Sequence, residues 1–195
     1  MGWLSDRRLA KRIAAGEGGA CAELVEAQHG AVYRVLVGLC GDMHVAEDLT
    51  QETFTAAWMK MSGFNGGSSL STWLYRIAYH RFIDWHRRRR SRETVERQGG
   101  AHMPKEPPRP LDHLLADEES RRLNEVVAAL EQPWREVIVL HYLQGLSFRQ
   151  MAEVLDEPSG TVKSRTSQAL SRLRTLLDVR SEDGRWKDNP RLPAS

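Results

Sequence analysis

The segment from Gly145 to Arg165 constrains this chain most, because it holds the start and stop signals of two short consecutive helices. Ser147 offers a hydroxyl to cap the first helix, and Ser159 offers one to the second. Pro158 ends the first helix, since the residue before a proline avoids helical geometry. A helix, a tight turn and a second helix form the arrangement that places one helix in the major groove of DNA.

The second of these helices separates an apolar stripe from a cationic face. The stripe recurs at a helical period and consists of Val162, Thr166, Ala169, Leu170, Leu173, Leu176 and Leu177. Between Pro158 and Thr175 the sequence has four basic residues and no carboxylate. A basic helix alone is often only a solvated face. The preceding turn favours DNA binding instead.

Composition excludes several other classes of protein. The chain has 195 residues, of which 41% are hydrophobic, and it shows neither a membrane-spanning apolar run nor a signal-peptide core. Cys21 and Cys40 do not indicate a disulfide framework and are interpreted as structural thiols. The seven histidines form no ligand cluster. We expect a cytoplasmic protein without a metal, a cofactor or catalytic residues.

Helical periodicity predicts an all-α fold with two small domains. Residues 1–92 form an N-terminal helical bundle, and residues 114–178 form a four-helix domain that contains the helix-turn-helix. One bundle helix, near residues 43–61, presents these residues to a core: Val45, Leu49, Phe54, Ala57, Trp58 and Met61. We assign no function to the polar tail, residues 179–195.

Residues 93–113 interrupt the helical pattern with four prolines and few apolar side chains. This composition predicts a flexible linker, and a surface loop within one domain is the alternative. A flexible linker would let the free protein sample many inter-domain arrangements.

Three motifs occur in one order along the chain: Ala46–Phe54, Ser71–Ala78 and Gly160–Arg165. Their residues and spacing resemble the extracytoplasmic-function (ECF) group of bacterial RNA polymerase sigma factors, over about residues 20–92 and 115–177. The resemblance implies a promoter-specificity subunit with core RNA polymerase, promoter DNA and an anti-sigma factor as partners.

The resemblance assigns the first motif to polymerase docking, through Asp48, Leu49, Gln51 and Glu52. In the family, this helix docks on a basic coiled coil of the polymerase clamp. Asp48 and Glu52 are four residues apart and repel each other mildly, which a cationic partner would relieve. A solvated acidic flank is the alternative.

The resemblance assigns the loop at Phe64–Ser71 and the following helix to the minus-ten box, which is read on the melted non-template strand. A glycine- and serine-rich loop suits close approach to a flipped base. His80 stands where the family commonly has asparagine. The matching residues are Phe64, Asn65, Ser68, Leu70, Arg76, His80, Arg87 and Arg88.

The resemblance assigns the last helix to the minus-thirty-five box of duplex DNA. The matching residues are Ser159, Thr161, Lys163, Ser164, Arg165, Ser167 and Gln168. Gln168 replaces an arginine common in the family, and glutamine can pair with adenine. Arg165 contacts DNA or, alternatively, braces its own domain.

Two other functions compete with this interpretation. A conventional helix-turn-helix regulator would explain the C-terminal domain but not the acidic helix or the loop. A nucleic-acid enzyme such as a recombinase lacks support, since no phosphate-binding glycine loop, metal-ligand spacing or paired carboxylate site is evident.

Overall fold

The computed structural model describes residues 3–98 and 126–181, and all regular structure in these two ranges is helical. The first range contains α1 (Trp3–Ala14), α2 (Ala20–Cys40), α3 (Met43–Lys60), a 3₁₀ turn (Met61–Gly63) and α4 (Leu70–Gln98). The second contains α5 (126–129), α6 (Gln132–Ile138), a π-helix that continues it (Val139–Leu143), α7 (Phe148–Leu155) and α8 (Ser159–Ser181). The predicted all-α, two-domain fold is confirmed.

Local sequence signals explain where these helices begin and end. Gly41 ends α2 with φ of 69°, a left-handed conformation that costs glycine little. Asp42 then caps α3, because its Oδ1 accepts hydrogen bonds from the backbone N–H groups of His44 and Val45 at 3.0 and 3.1 Å. Ser147 and Gln150 form a reciprocal capping box at the start of α7.

Two details of the sequence interpretation are wrong. Helix α8 includes Ser159 as its first residue, and the carbonyl of Pro158 already accepts from the Val162 N–H, so Ser159 does not precede the helix as a cap. Trp58, predicted to face the core, is 66% exposed. Its neighbours Ala56 and Ala57 take the buried positions of that turn instead.

The N-terminal domain encloses its core between α2, α3 and α4. Leu36, Leu39, Leu74 and Phe82 are among its fully buried side chains. Cys40 is also buried, and burial raises the pKa of its thiol to about 12. Such a thiol stays protonated and unreactive at neutral pH, as expected of a structural cysteine.

The two domains pack directly against each other, which differs from the expectation that the free protein samples many arrangements. Helix α4 lies against α7, and α2 lies against α6 and the π-helix. Gly38 permits the second contact, because a Cβ atom there would lie only 2.9 Å from a methyl group of Val139. The buried side chains of both domains form one continuous cluster.

Several predicted boundaries fall partly outside the described residues. Residues 93–98, predicted as the beginning of the linker, extend α4, and residues 99–113 lie outside the described ranges. Residues 114–125, predicted to open the second domain, lie outside them too. Residues 179–181 continue α8, and the rest of the predicted tail, 182–195, is likewise not described.

Within residues 3–98 and 126–181, every helix is too short or too polar to cross a membrane.

Replacing Asp42 with alanine tests the cap of α3. We expect Asp42→Ala to lower the free energy of unfolding by about 1 kcal/mol, because two N–H groups lose their acceptor. Urea denaturation followed by circular dichroism measures the change. Glu52→Ala, an exposed acid in the middle of the same helix, is the control and should change stability by less than about 0.5 kcal/mol. Equal losses in both variants would contradict the capping role.

Candidate nucleic-acid interface

The exposed face of α8 contains most of the residues predicted to contact duplex DNA. Ser159, Thr161, Lys163, Ser164, Ser167 and Gln168 are all exposed. The Gln168 amide donates to the Ser164 hydroxyl over 3.4 Å, so these two polar groups lie side by side. The Lys163 ammonium lies 5.9 Å from the ring of Phe148 on α7. This contact directs a cation to the junction of the two helices of the helix-turn-helix.

Arg165 has a different environment from its neighbours on α8. Its guanidinium contacts the carboxylate of Glu157 at 2.7 Å and lies 3.8 Å from that of Glu136, and its side chain is only 20% exposed. A guanidinium held between two acids fixes α8 against the preceding turn and α6. Arg165 therefore braces the domain, the alternative that its sequence position left open.

A second cation braces the same side of α8, two helical turns after Arg165. The guanidinium of Arg172 lies 3.5 Å from the centre of the Trp134 ring on α6, a stacking distance. Beside this stack is a groove of 530 Å³ between α6 and α8. Its wall includes Pro133 and Trp134 on one side and Thr161, Ser164 and Gln168 on the other. The polar residues predicted to read bases thus line a concave surface.

The loop before α4 is held in shape by its own short polar side chains. The side-chain oxygen Oδ1 of Asn65 accepts from the Gly67 N–H at 2.9 Å. Gly66 has φ of 76°, and a Cβ atom there would lie 2.7 Å from the Arg7 side chain. Phe64 packs on Trp73 with ring centres 5.4 Å apart. Asn65 and Gly67 stay exposed in this loop, whereas Gly66 between them is buried.

Two side chains hold the N-terminus of α4. The Ser69 hydroxyl accepts from the Thr72 N–H at 3.1 Å. The Asp6 carboxylate, from α1, accepts from the Leu70 N–H at 3.0 Å and is itself buried. A carboxylate at a helix N-terminus is favourable because the helix dipole is positive there. Asp6 thus ties α1 to the loop.

Two of the predicted contact residues are buried and cannot form a surface. Leu49, assigned to polymerase docking, is 2% exposed and packs in the N-terminal core. Leu70, assigned to the minus-ten box, is 1% exposed, and its N–H is bound to Asp6. Both corrections have the same cause, since an apolar side chain within an amphipathic helix is buried whenever a core lies beneath it.

The remaining residues predicted to dock polymerase form an exposed flank on α3. Asp48, Gln51 and Glu52 are all exposed. A groove of 470 Å³ separates this flank from α4, and Arg88, Arg89 and Arg92 line the opposite wall together with Trp85. Arg88 is therefore placed beside the acidic flank of α3, although the sequence interpretation assigns it to promoter DNA.

Arg76 and His80 lie on a face of α4 that meets the C-terminal domain. The Asp156 carboxylate accepts from the Arg76 guanidinium at 2.5 Å and lies 3.2 Å from His80 Nε2. Arg87 follows Arg76 by about three helical turns and so returns to the same face. It contacts the Asp84 carboxylate at 3.1 Å and is exposed.

Sequence reasoning missed the acids that organise these sites. Asp6 and Asp156 were not assigned a role, because each bonds a residue at least 64 positions away. The one sequence signal at Asp156 is its position before Glu157 and Pro158, where a turn is expected. No group of metal-binding side chains occurs within the two described ranges.

Two protein families match separate parts of the chain. Residues 24–92 match the protein family described as Sigma-70 region 2, and residues 120–173 match the one described as Sigma-70, region 4. The chain is 30% identical over 175 residues to the ECF RNA polymerase sigma factor SigW of Bacillus subtilis (strain 168), covering 86% of this chain and 94% of SigW.

Two solved structures resemble the fold. One is the sigma factor RpoE from Bartonella quintana in complex with the anti-sigma factor NepR, with a TM-score of 0.67, 29% identity, and coverage of 83% of this chain and 98% of RpoE. The other is CnrH in complex with the cytosolic domain of CnrY, with a TM-score of 0.67, 27% identity, and coverage of 89% and 97%.

Removing the Asp6 carboxylate tests how α1 positions the loop and α4. We expect Asp6→Ala to lower the free energy of unfolding by about 2 kcal/mol, since a buried N–H loses a charged acceptor. Asp6→Asn keeps an acceptor oxygen and should lose clearly less. Chemical denaturation of both variants measures the difference. Equal losses would show that the hydrogen bond to Leu70 does not hold the helix start.

Proposed function

This chain belongs to the ECF group of RNA polymerase sigma factors. We propose that three of its surfaces have separate roles, one in polymerase docking and two in promoter recognition. It is an alternative sigma factor, a transcription initiation subunit that directs RNA polymerase to promoters. The exposed flank of α3 docks on core polymerase, the loop at Phe64–Ser68 and α4 read the melted minus-ten strand, and α8 reads the duplex at the minus-thirty-five box.

One observation carries this proposal: the same chain has an acidic flank on α3 and a carboxylate-free basic face on α8, both exposed. A basic face favours DNA, whereas an acidic flank is repelled by it. A conventional helix-turn-helix regulator needs the basic face of α8 to bind DNA but does not need the acidic flank of α3. Two surfaces of opposite charge favour two partners, and a basic element of the polymerase suits the acidic one.

The two DNA surfaces differ in chemistry in a way that suits their proposed targets. The polar groups on α8 lie along an ordered helix, which fits the major groove of a duplex. The loop presents backbone and small polar groups beside the partly buried ring of Phe64, which suits an unstacked base. Arg165 supports DNA binding indirectly, because it holds α8 in place. Leu49 and Leu70 support the docking flank and the loop from the core beneath them.

An anti-sigma factor is the further partner that we infer. The B. quintana sigma factor RpoE was solved in complex with the anti-sigma factor NepR, and its match to this chain covers 83% of the residues. We also infer that the protein works in the cytoplasm, where core polymerase transcribes, and that it has no catalytic activity of its own.

Run-off transcription tests the proposed function. Purified core polymerase is supplied with pooled genomic template, with and without the protein. We expect new discrete start sites that share two upstream boxes. Absence of new starts, together with sequence-specific duplex binding by the full chain, would refute the proposal in favour of a conventional regulator. Mass spectrometry of the preparation first excludes a bound anti-sigma factor.

Reversing the acidic flank tests the docking surface. We expect Asp48→Arg with Glu52→Arg to reduce binding to core polymerase at least about tenfold, since two attractive contacts become repulsive. Co-purification and biolayer interferometry measure the loss. Glu26→Arg with Glu131→Arg makes the same change of net charge at two other exposed acids and should bind as the wild type does. Equal loss in both double variants would contradict docking through α3.

Removing the Lys163 ammonium tests the face of α8. We expect Lys163→Ala to weaken binding of the full chain with polymerase to promoter duplex, and to reduce the salt slope of binding by about one unit. Titrations at several salt concentrations give that slope. Lys11→Ala removes an exposed lysine on α1 and is the matched control. An unchanged slope for Lys163→Ala would mean that its ammonium does not reach a phosphate.

A further inference from the structure

The groove between α3 and α4 has two walls of opposite charge. Two acids of α3 and three arginines of α4 line it: Asp48, Glu52, Arg88, Arg89 and Arg92. Its volume of 470 Å³ lies in the range of sites for small organic molecules. Leu49 lines it too and is only 2% exposed, which gives the groove an apolar floor. The groove therefore has the size and the mixed chemistry of a ligand site.

The opposite charges of the two walls do not neutralise each other. Among residues 3–98 and 126–181, neither Asp48 nor Glu52 forms an ion pair with Arg88 or Arg92. All four side chains are exposed. The Nε of Arg88 donates to the Asp84 carbonyl of its own helix at 3.2 Å, which fixes the position of this guanidinium. A ligand with an anionic end and an N–H end would meet both walls.

Trp85 adds a flat aromatic surface to the cationic wall. Its ring is half-buried and lies against the buried ring of Phe82, with ring centres 6.1 Å apart. The Arg89 guanidinium lies 5.3 Å from the centre of the Trp85 ring. Planar bases stack both on aromatic rings and on guanidinium planes. The cationic wall thus offers a stacking surface for a planar group beside its positive charges.

The spacing along α4 fits a nucleotide. Trp85 and Arg92 are seven residues apart, which is about 10 Å along the helix axis. A nucleoside diphosphate in an extended conformation has a similar reach from its base to its terminal phosphate. Guanidinium groups bind phosphate through paired N–H donors, and several of them together suit a chain of phosphates.

The acidic wall selects the base. Guanine presents two adjacent donors, N1–H and the N2 amino group, which together match the two oxygens of a carboxylate. Adenine and cytosine present one amino group beside a ring nitrogen that is an acceptor, and a carboxylate repels that acceptor. Carboxylates at Asp48 and Glu52 therefore favour guanine.

We propose that the groove between α3 and α4 binds a free guanine nucleotide with at least two phosphates. Arg88 and Arg92 hold the phosphates, Trp85 stacks on the base, and the carboxylates of Asp48 and Glu52 accept from its donor edge. These carboxylates are also the ones that we propose to dock on polymerase, so nucleotide and polymerase compete for them. That competition rests on the proposed function, whereas nucleotide binding does not.

Isothermal titration calorimetry of the full chain with GDP, ADP, pyrophosphate and the dinucleotide GpG tests the site. We expect GDP to bind at least about tenfold more tightly than ADP, because only guanine pairs with a carboxylate through two hydrogen bonds. Pyrophosphate lacks the base, and GpG has only an internal phosphate. Both should bind more weakly than GDP.

Variants at the two walls should have different effects. We expect Arg92→Gln to weaken GDP and ADP alike by about tenfold, since a charged donor to phosphate is lost. Its control is Arg90→Gln, an exposed arginine of the same helix that does not line the groove.

The acidic wall is tested by Asp48→Asn with Glu52→Gln. We expect this double variant to lose the preference for GDP over ADP without losing affinity for ADP. Its control is Glu26→Gln with Glu47→Gln, which neutralises two exposed acids outside the groove. Both control chains should bind as the wild type does.

Any of four results would overturn the site: GDP does not bind, ADP binds as tightly as GDP, pyrophosphate or GpG binds as tightly as GDP, or Arg90→Gln loses as much affinity as Arg92→Gln. Equal binding of GpG would assign the groove to guanine within a strand.

GDP should also weaken binding of the wild type to core polymerase, and should do so less for Arg92→Gln. Unchanged polymerase binding would overturn the competition. Failure of the sigma function is recognised separately, because it appears as absent start sites in transcription, whereas GDP binding is measured without polymerase.

Discussion

Helix α4 is the constraint on which the rest of the structure depends, because it forms a wall of both domains. With 3.6 residues in each turn, its faces point to different neighbours. One face packs into the N-terminal core, one lines the groove opposite α3, and one meets α7. The side chain of each α4 residue therefore contacts only one of these three neighbours. This division separates Arg88, which faces the acidic flank, from Arg76, which faces the second domain.

The buried carboxyl of Glu136 depends on hydrogen-bond donors from both domains. Glu136 is buried, and burial raises the pKa of its carboxyl, while hydrogen bonds from Gln132 and Tyr79 partly offset that rise. Burial and the nearby Glu136 charge raise the pKa of the Tyr79 hydroxyl, so it remains a donor. A buried carboxylate with several donors is tolerable, whereas one that loses its donors is costly. Glu136 therefore links the integrity of the domain to the presence of α4.

The sequence predicted those parts of the fold that local chemistry decides. Ser147 at the start of α7 and Pro158 after its end could be interpreted alone, since each acts on backbone groups within a few residues. Burial across a tertiary contact could not be predicted in this way. The partner of Asp6 is 64 residues away, and that of Asp156 is 80 away. Leu70 matched a family pattern, but only the packed helices reveal that it lies beneath the surface, whereas helical periodicity already assigned Leu49 to a core.

The predicted separation of the domains shows the same limit. A proline-rich segment indicates that two units can move apart, but it contains no information on whether their surfaces attract each other. That information lies in the absence of a side chain at Gly38 and in the shape of Val139, which periodicity treats as one more apolar position.

The π-helix at Val139–Leu143 has a consequence for the spacing of the domain. A π-turn accommodates one more residue than an α-turn, so everything after it is rotated by about 100° relative to an uninterrupted α-helix. This extra residue lets Val139 and Leu140 remain buried while Tyr142 and Leu143 emerge at the surface. A deletion or insertion of one residue between α6 and α7 would therefore rotate Tyr142 and Leu143 away from the surface positions that they occupy.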